Sequence, residues 1–117
     1  MKTFKNIAAQ GDIMIIRVDR LPDVVRKVAA QDGRLVVTHS ETGHHHVIAE
    51  RPNVALYTSP YPMVSYLHVI EAADAAETVL EHLRSFDTHE ALKFDAGIYE
   101  IRRQREYTPE GFRRVED

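Results

Sequence analysis

The chain has 117 residues and a formal net charge of −3, with 44% hydrophobic and 28% charged residues. This composition is typical of a single globular domain over residues 1–117, it excludes a disordered or low-complexity chain, and its negative balance disfavours nucleic acid as a partner. Cysteine is absent, so we expect nitrogen and oxygen ligands at any metal site. No stretch approaches the about 20 apolar residues that span a bilayer, so we expect no membrane partner and a cytoplasmic location.

Short apolar runs, rich in β-branched residues and separated by glycine, proline or aspartate, predict strands along most of the chain. The predicted strands cover residues 13–18, 34–39, 44–50, 54–58, 63–70 and 94–107. Asp32 and Gly33 form a turn signal before the second of these strands. In the last strand Tyr99 and Ile101 share one face, and Glu100 points to the opposite face.

Two segments each permit two interpretations. Residues 23–30, which follow Pro22, fit either a two-turn helix or an irregular excursion. Residues 71–86 carry apolar side chains at helical spacing, but residues 78–84 within them also fit an alternating strand. We therefore predict a mainly β fold with a single domain, either a small barrel or a two-sheet sandwich, with one or two short helices.

Four of the seven histidines are candidates for one metal site. His44 and His46 alternate at the start of a predicted strand, where successive side chains point to opposite faces. They therefore share a face and can chelate one ion, whereas His45 points away. His82 and His89 bracket a second segment that adjoins probable strand ends. We expect His89 to reach the same ion, with His82 or water completing the coordination shell.

Three blocks of the sequence together resemble a family of small bacterial proteins of unknown function. The blocks are ETGHHH at 41–46, HLRSFDTHE at 82–90, and the segment 97–117 with RQREYTPE at 103–110. The resemblance spans most of the chain and brings no activity with it. It marks His44, His46 and His89 as functional positions.

A weaker and partial similarity is to the cupins. The first cupin metal motif has two histidines one residue apart and a later glutamate, which corresponds here to His44, His46 and Glu50. On one strand face these residues would supply two nitrogens and one oxygen to a divalent ion. The chain lacks the second cupin motif, because no Pro-x-Gly-x-x-His segment follows and His89 precedes Gly97.

The end of the sequence interleaves arginines with aromatic residues, a pattern that can bind single-stranded nucleic acid. Five arginines between residues 99 and 117 are matched there by five acidic residues, so the segment is neutral. We therefore expect cross-strand ion pairs rather than a nucleic-acid surface. Residues 109–111 are expected to turn the chain into a short charged tail.

The leading hypothesis for function is a divalent metal site, with zinc as the expected cofactor. Asp87 and Glu90 could orient the ligating imidazoles, or they could be ordinary cap and turn residues. Three protein ligands would leave a position for a reactive water, whereas four would make a structural site. The alternative is a non-catalytic module in which sheet edges and aromatic residues mediate protein interaction or assembly into a homo-oligomer. Clustered histidines can also be hydrogen-bonded loop residues, and this interpretation stays open.

Overall fold

The structure is a computed structural model that describes residues 2–10, 12–38, 46–73, 77–82, 91–103, 105–108 and 111–114. These residues form thirteen strands and contain no helix. The strands are β1 (Lys2–Thr3), β2 (Ile7–Gln10), β3 (Ile13–Val18), β4 (Arg26–Lys27), β5 (Arg34–Thr38), β6 (His46–Ala49), β7 (Val54–Thr58), β8 (Val64–Val69), β9 (Thr78–His82), β10 (Leu92–Phe94), β11 (Gly97–Arg103), β12 (Arg105–Thr108) and β13 (Gly111–Arg114). In the described ranges there is thus no helix that could cross a membrane.

Two sheets make up the body of the molecule. The five-stranded sheet has the order β1-β10-β9-β6-β5, and the six-stranded sheet has the order β2-β3-β11-β8-β7-β4. Neighbouring strands are antiparallel, except that β1 runs parallel to β10. The predicted mainly β fold is confirmed, as an open two-sheet arrangement rather than a closed barrel.

The core lies between the two sheets and follows the alternation of most strands, whereas β6 is buried on both faces at His46, Val47 and Ile48. From the six-stranded sheet come Ala8, Ile13, Ile15, Val54, Leu56, Leu67, Val69, Tyr99 and Ile101, and from the five-stranded sheet come Leu35, Ile48, Leu80, Leu92 and Phe94. Phe94 and Tyr99 stack with ring centroids 4.9 Å apart, and Phe4 meets Phe94 edge to face at 5.2 Å. The Tyr99 hydroxyl donates to the Asp95 carbonyl at 2.7 Å, so burying this ring leaves its polar atom satisfied.

Local predictions divide into confirmed and wrong ones. Asp32 (φ 52°) and Gly33 (φ 75°) form the predicted turn, in which Gln31 and Arg34 exchange two backbone hydrogen bonds. Positive φ at both central residues is typical of the tight hairpin turn that Asp-Gly favours. The strand interpretation within residues 71–86 is confirmed, because 78–82 is β9.

The predicted short helices do not occur in the described ranges. Residues 23–30 instead contain a turn and the two-residue β4, which pairs with β7. The Val28 amide donates to the Leu56 carbonyl at 2.8 Å, so tertiary pairing takes the hydrogen bonds that a helix would have used. The predicted charged tail is also wrong, because 111–114 is a strand paired with 105–108.

Several strands begin or end together at one end of the molecule. In the five-stranded sheet, β5 ends at Thr38 opposite His46, where β6 begins, and His46 lies opposite His82, where β9 ends. In the six-stranded sheet, β2 ends at Gln10 opposite Ile13, and β11 ends there at Arg103. We call this end of both sheets the histidine end.

Candidate functional site

Four polar side chains are packed at the histidine end, where an apolar core would be expected. Gln10 is 2% exposed, Asp12 3% and His46 0%, and the Arg103 side chain is 15% exposed. Burying polar and charged groups is costly unless they are partnered, so such a cluster requires an explanation. Gln10 ends β2, Asp12 lies in the β2–β3 turn, His46 begins β6 and Arg103 ends β11, so both sheets contribute.

The hydrogen bonds of Gln10 determine which nitrogen of His46 carries a proton. The Gln10 Nε2 amide donates to the Leu80 carbonyl at 3.0 Å. A carbonyl only accepts, so the other end of the amide, Oε1, is the atom that faces His46 Nδ1 at 2.8 Å. Since Oε1 is also an acceptor, Nδ1 must be the donor. In a neutral His46 ring the lone pair is therefore on Nε2.

The other ring nitrogen, Nε2, lies near a carboxylate. His46 Nε2 lies 3.3 Å from Asp12 Oδ1, and Arg103 Nη2 lies 3.7 Å from Asp12 Oδ2. An imidazole nitrogen and a carboxylate oxygen are atoms of the two types that coordinate a divalent metal ion in proteins without sulfur ligands.

The spacing of the two atoms fits a shared metal ion. Two ligands at about 2.0–2.1 Å from a tetrahedral ion are about 3.3–3.4 Å apart, and the observed separation is 3.3 Å. An imidazole nitrogen and a carboxylate oxygen are ordinary zinc ligands, and a ligating histidine commonly donates its other N–H to an acceptor, as His46 does to Gln10. Among the described residues, no group of three or more potential ligands (histidine, cysteine, aspartate, glutamate) forms a site.

The residues predicted from sequence are only partly described. His46 is at the centre of the cluster, and the His82 backbone lies opposite it in the β-ladder. His44, His45 and His89 lie outside the described residues, as do Asp87 and Glu90.

Chain connectivity still constrains where these segments begin and end. Residues 39–45 connect β5 to β6, and residues 83–91 connect β9 to β10. Because His46 and His82 are paired, both connections leave the five-stranded sheet at the histidine end. Glu50, the glutamate of the cupin-like pattern, instead follows β6 at the opposite end of that strand and is exposed.

Sequence reasoning did not single out Gln10 or Asp12, and it placed Arg103 among the arginines of the C-terminal segment rather than at this site. One signal was present for Arg103, because it continues the inward-facing series of Tyr99 and Ile101 along β11. A charged residue at an inward position predicts a buried partner of opposite charge. Gln10 likewise follows the buried Ala8 on the inner face of β2, but the neighbouring Gly11 made this segment look like an ordinary turn.

A cleft of about 280 Å³ adjoins the cluster, and Arg103 is a member of both. Its walls include the hydroxyl-bearing residues Thr58, Ser59 and Ser65 and the apolar Val37 and Met63, among others. The Ser59 hydroxyl donates within the β7–β8 turn, at 2.8 Å to the Val64 carbonyl. The cluster is therefore buried on the side of His46 and borders a solvent-accessible space on the side of Arg103.

Fold and site together define a small two-sheet β protein with a buried carboxylate–imidazole pair at one end. The chain belongs to the family described as a domain of unknown function, DUF8820, which matches residues 9–104. This confirms the expected membership of an uncharacterised family, and the matched range includes all four residues of the cluster. Neither the curated proteins nor the solved structures contain a match to the chain.

Proposed function

We propose that this chain binds a divalent metal ion, zinc in the first place, with His46 Nε2 and Asp12 Oδ1 as two of its ligands. The observation that carries the proposal is the separation of 3.3 Å between His46 Nε2 and Asp12 Oδ1, two atoms of metal-ligand type held together in the core. Gln10, which donates to the Leu80 carbonyl, accepts from His46 Nδ1 and so leaves Nε2 as the nitrogen for a metal ion. Such an outer hydrogen bond fixes the tautomer and ring orientation of a ligating histidine.

The remaining ligands are proposed from the two connections at the histidine end. His44 is two residues before His46, and His89 lies in the connection that follows β9. His82 is the ladder neighbour of His46, which supports it as a further candidate. Nitrogen and oxygen donors of this kind suit zinc, and the absence of cysteine removes the sulfur alternatives.

The number of protein ligands determines what the metal does. Four protein ligands would make a structural site that contributes to folding. With three, the fourth position would hold a water, whose pKa zinc lowers enough to make it a nucleophile near neutral pH. In that case, the cleft beside Arg103 is the space from which a reactant could approach the cluster.

The first test measures metal in the full chain, expressed without a histidine tag. We expect elemental analysis after dialysis to find zinc in a fixed ratio to the chain. In calorimetry on the metal-free protein, Asp12→Asn and His46→Gln should each raise the zinc Kd about 100-fold or more, because each removes a ligand. His68→Gln is the matched control, since His68 lies on the outer face of the six-stranded sheet, and should change the Kd less than about 2-fold.

The same measurements can overturn the proposal. If the chain retains no metal and does not bind added zinc, nickel or manganese, the proposal is overturned. Gln10, Asp12, His46 and Arg103 would then form a buried polar network that has only a structural role.

A second set of variants tests the ligands proposed from the connections. His44→Ala and His89→Ala should each weaken zinc binding about 10-fold or more, whereas His45→Ala should not, because a strand would direct it to the other face. Equal losses at His44 and His45 would contradict the strand geometry and indicate a loop that wraps the ion. The Asp12→Asn variant tests a different ligand, so its result would hold whichever geometry the His44 and His45 variants indicate.

A further inference from the structure

The outer face of the six-stranded sheet is largely apolar, although it is not part of the core. We call the following residues the outer face: Ile7, Ala9, Met14, Ile16, Val18, Ala55, Tyr57, Val64, Tyr66, His68, Ile98, Glu100 and Arg102. All of them are exposed or half-buried, and Ile7 is 60% exposed. Eight are aliphatic or methionine and two are tyrosine, whereas solvent-facing strand positions are usually polar. A contiguous apolar patch of this kind marks an interaction surface.

The strand register brings these side chains into continuous rows. Ile7 pairs with Ile16, Ile16 pairs with Glu100, Glu100 pairs with Tyr66, and Tyr66 pairs with Tyr57, so one row crosses five strands. A row with Ile98 at its centre lies on one side, and a row with Arg102 at its centre lies on the other. Five strands about 4.8 Å apart and three rows about 7 Å apart give a footprint of about 500 Å² in flat projection.

The charged groups of the outer face are already paired with one another. The Tyr66 hydroxyl donates to Glu100 Oε1 at 2.9 Å, and Arg102 Nε donates to Glu100 Oε2 at 2.8 Å. These bonds lower the pKa of Glu100, with the bond from Arg102 as the largest cause, so the carboxylate is stabilised in its charged form. Glu100 and Arg102 cancel each other's charge at the centre of the face, and Lys27, the ladder partner of Tyr57 on the edge strand β4, adds one positive charge at its margin.

We infer that a second copy of this chain packs on the outer face, so that the protein is a homodimer with two-fold symmetry. Counted on both partners, the footprint buries about 1,000 Å² in total, which is the lower bound for a specific protein interface. A two-fold axis pairs residue i with residue j of the partner and j with i. An acid and a base two residues apart on one strand are self-complementary under that operation. A strongly charged partner, such as nucleic acid, gains little from a face whose centre is neutral and whose one unmatched charge, Lys27, lies on the edge strand.

The oligomeric state in solution tests this inference on the full chain without a tag. Sedimentation equilibrium should give a dimer, and Ile16→Lys and Ile7→Lys should each raise the dimer Kd about 10-fold or more, because each buries a charge at the interface. Val24→Lys is the matched control: Val24 is 65% exposed, close to the 60% of Ile7, and is not on the outer face. It should change the Kd less than about 2-fold.

Disulfide cross-linking supplies an independent measurement, since the chain has no cysteine. Met14→Cys and Ile98→Cys each introduce one thiol on the outer face, and oxidation should link chains in pairs faster than with Val24→Cys. Circular dichroism on every variant checks that it is folded. A monomer at about 1 mM, or a dimer that Ile16→Lys and Ile7→Lys leave intact, would overturn the inference and leave the face to another protein or to another segment of this chain.

Both measurements are made with and without a chelator. The inference does not depend on the proposed metal site, because no residue of the outer face belongs to the buried cluster. A dimer that persists in chelator, in a chain that binds no zinc, would retain this inference and reject the metal site.

Discussion

Two clusters in the described part of the chain each bring a carboxylate to an arginine, and they differ in burial and in the carboxylate's other neighbour. On the outer face, Glu100 accepts from Tyr66 and from Arg102 at 2.9 and 2.8 Å. At the histidine end, Asp12 has Arg103 at 3.7 Å on one oxygen and an imidazole nitrogen at 3.3 Å on the other. The outer cluster is matched as it stands, because each oxygen of its carboxylate has a donor.

The inner cluster differs in its burial and in its second neighbour, which is an imidazole nitrogen. A low dielectric strengthens the interactions of a buried carboxylate such as that of Asp12, whereas Glu100 lies nearer to solvent. Salt bridges of similar composition can thus have different roles in one small domain. One joins Tyr66, Glu100 and Arg102 on a sheet face, and the other places Asp12 beside the buried His46, where we propose a metal ion.

The largest effect that separates the two clusters is on stability. In chelator, His46→Ala should lower the free energy of unfolding by about 3 kcal/mol, since it creates a cavity and leaves the Gln10 oxygen and the Asp12 carboxylate without the imidazole. Tyr66→Phe should cost about 1 kcal/mol, because its hydrogen bond is nearer to solvent. Urea unfolding measures both variants. Equal losses would mean that the two clusters are energetically alike.

Much of the fold follows from the sequence, because strand alternation and turn residues are local signals. The predicted strand at 13–18 and the Asp32–Gly33 turn are present as expected. The helix over 23–30 fails because the hydrogen bonds of that segment go to β7, which no local pattern reveals. The edge strands β1 and β2 were not predicted either. β1 has two residues and pairs with the distant β10, and β2 is a four-residue strand in which Ile7 is the one β-branched residue.

Of the candidate site, the sequence predicted His46 but not its partners Asp12 and Gln10. His46 belongs to a histidine run that draws attention in the sequence. Asp12 and Gln10 are more than thirty residues away from it and have no motif, and only the packing of the two sheets brings them to the imidazole. Side-chain chemistry assembled across sheets is a property of the tertiary structure, whereas spacing along one strand is a property of the sequence.

A smaller effect tests whether Gln10 prepares His46 for a metal. Gln10→Leu keeps a side chain of similar size but removes the acceptor of the Nδ1 proton, so we expect the zinc Kd to rise about 10-fold or more. Asn53→Leu is the matched control, because the Asn53 amide also donates to a backbone carbonyl, that of Ile70, and is not part of the cluster. Calorimetry with zinc compares the two variants. An unchanged zinc affinity in Gln10→Leu would show that zinc binding does not depend on the hydrogen bond between His46 Nδ1 and Gln10.

The smallest effect concerns the pH dependence of the outer cluster. The pKa of Glu100 is lowered in the folded chain by the bond from Arg102 and, more weakly, by the bond from Tyr66, while burial opposes both. A lowered folded pKa stabilises the fold at pH values above the unfolded pKa, which is about 4.3, and this stabilisation is lost as the pH falls through the folded pKa.

Wild type and Glu100→Gln should therefore differ most at neutral pH, by about 1 kcal/mol or less for a partly exposed pair, and should converge in acid. Urea unfolding between neutral pH and about pH 3 measures the difference, with both chains in an Ile16→Lys background so that association does not contribute. If the difference in free energy of unfolding between the two chains stays constant down to about pH 3, the hydrogen bonds of Glu100, rather than its charge, stabilise the sheet. Protonation of Glu100 would then have no measurable effect on the free energy of unfolding, because a neutral side chain would make the same hydrogen bonds.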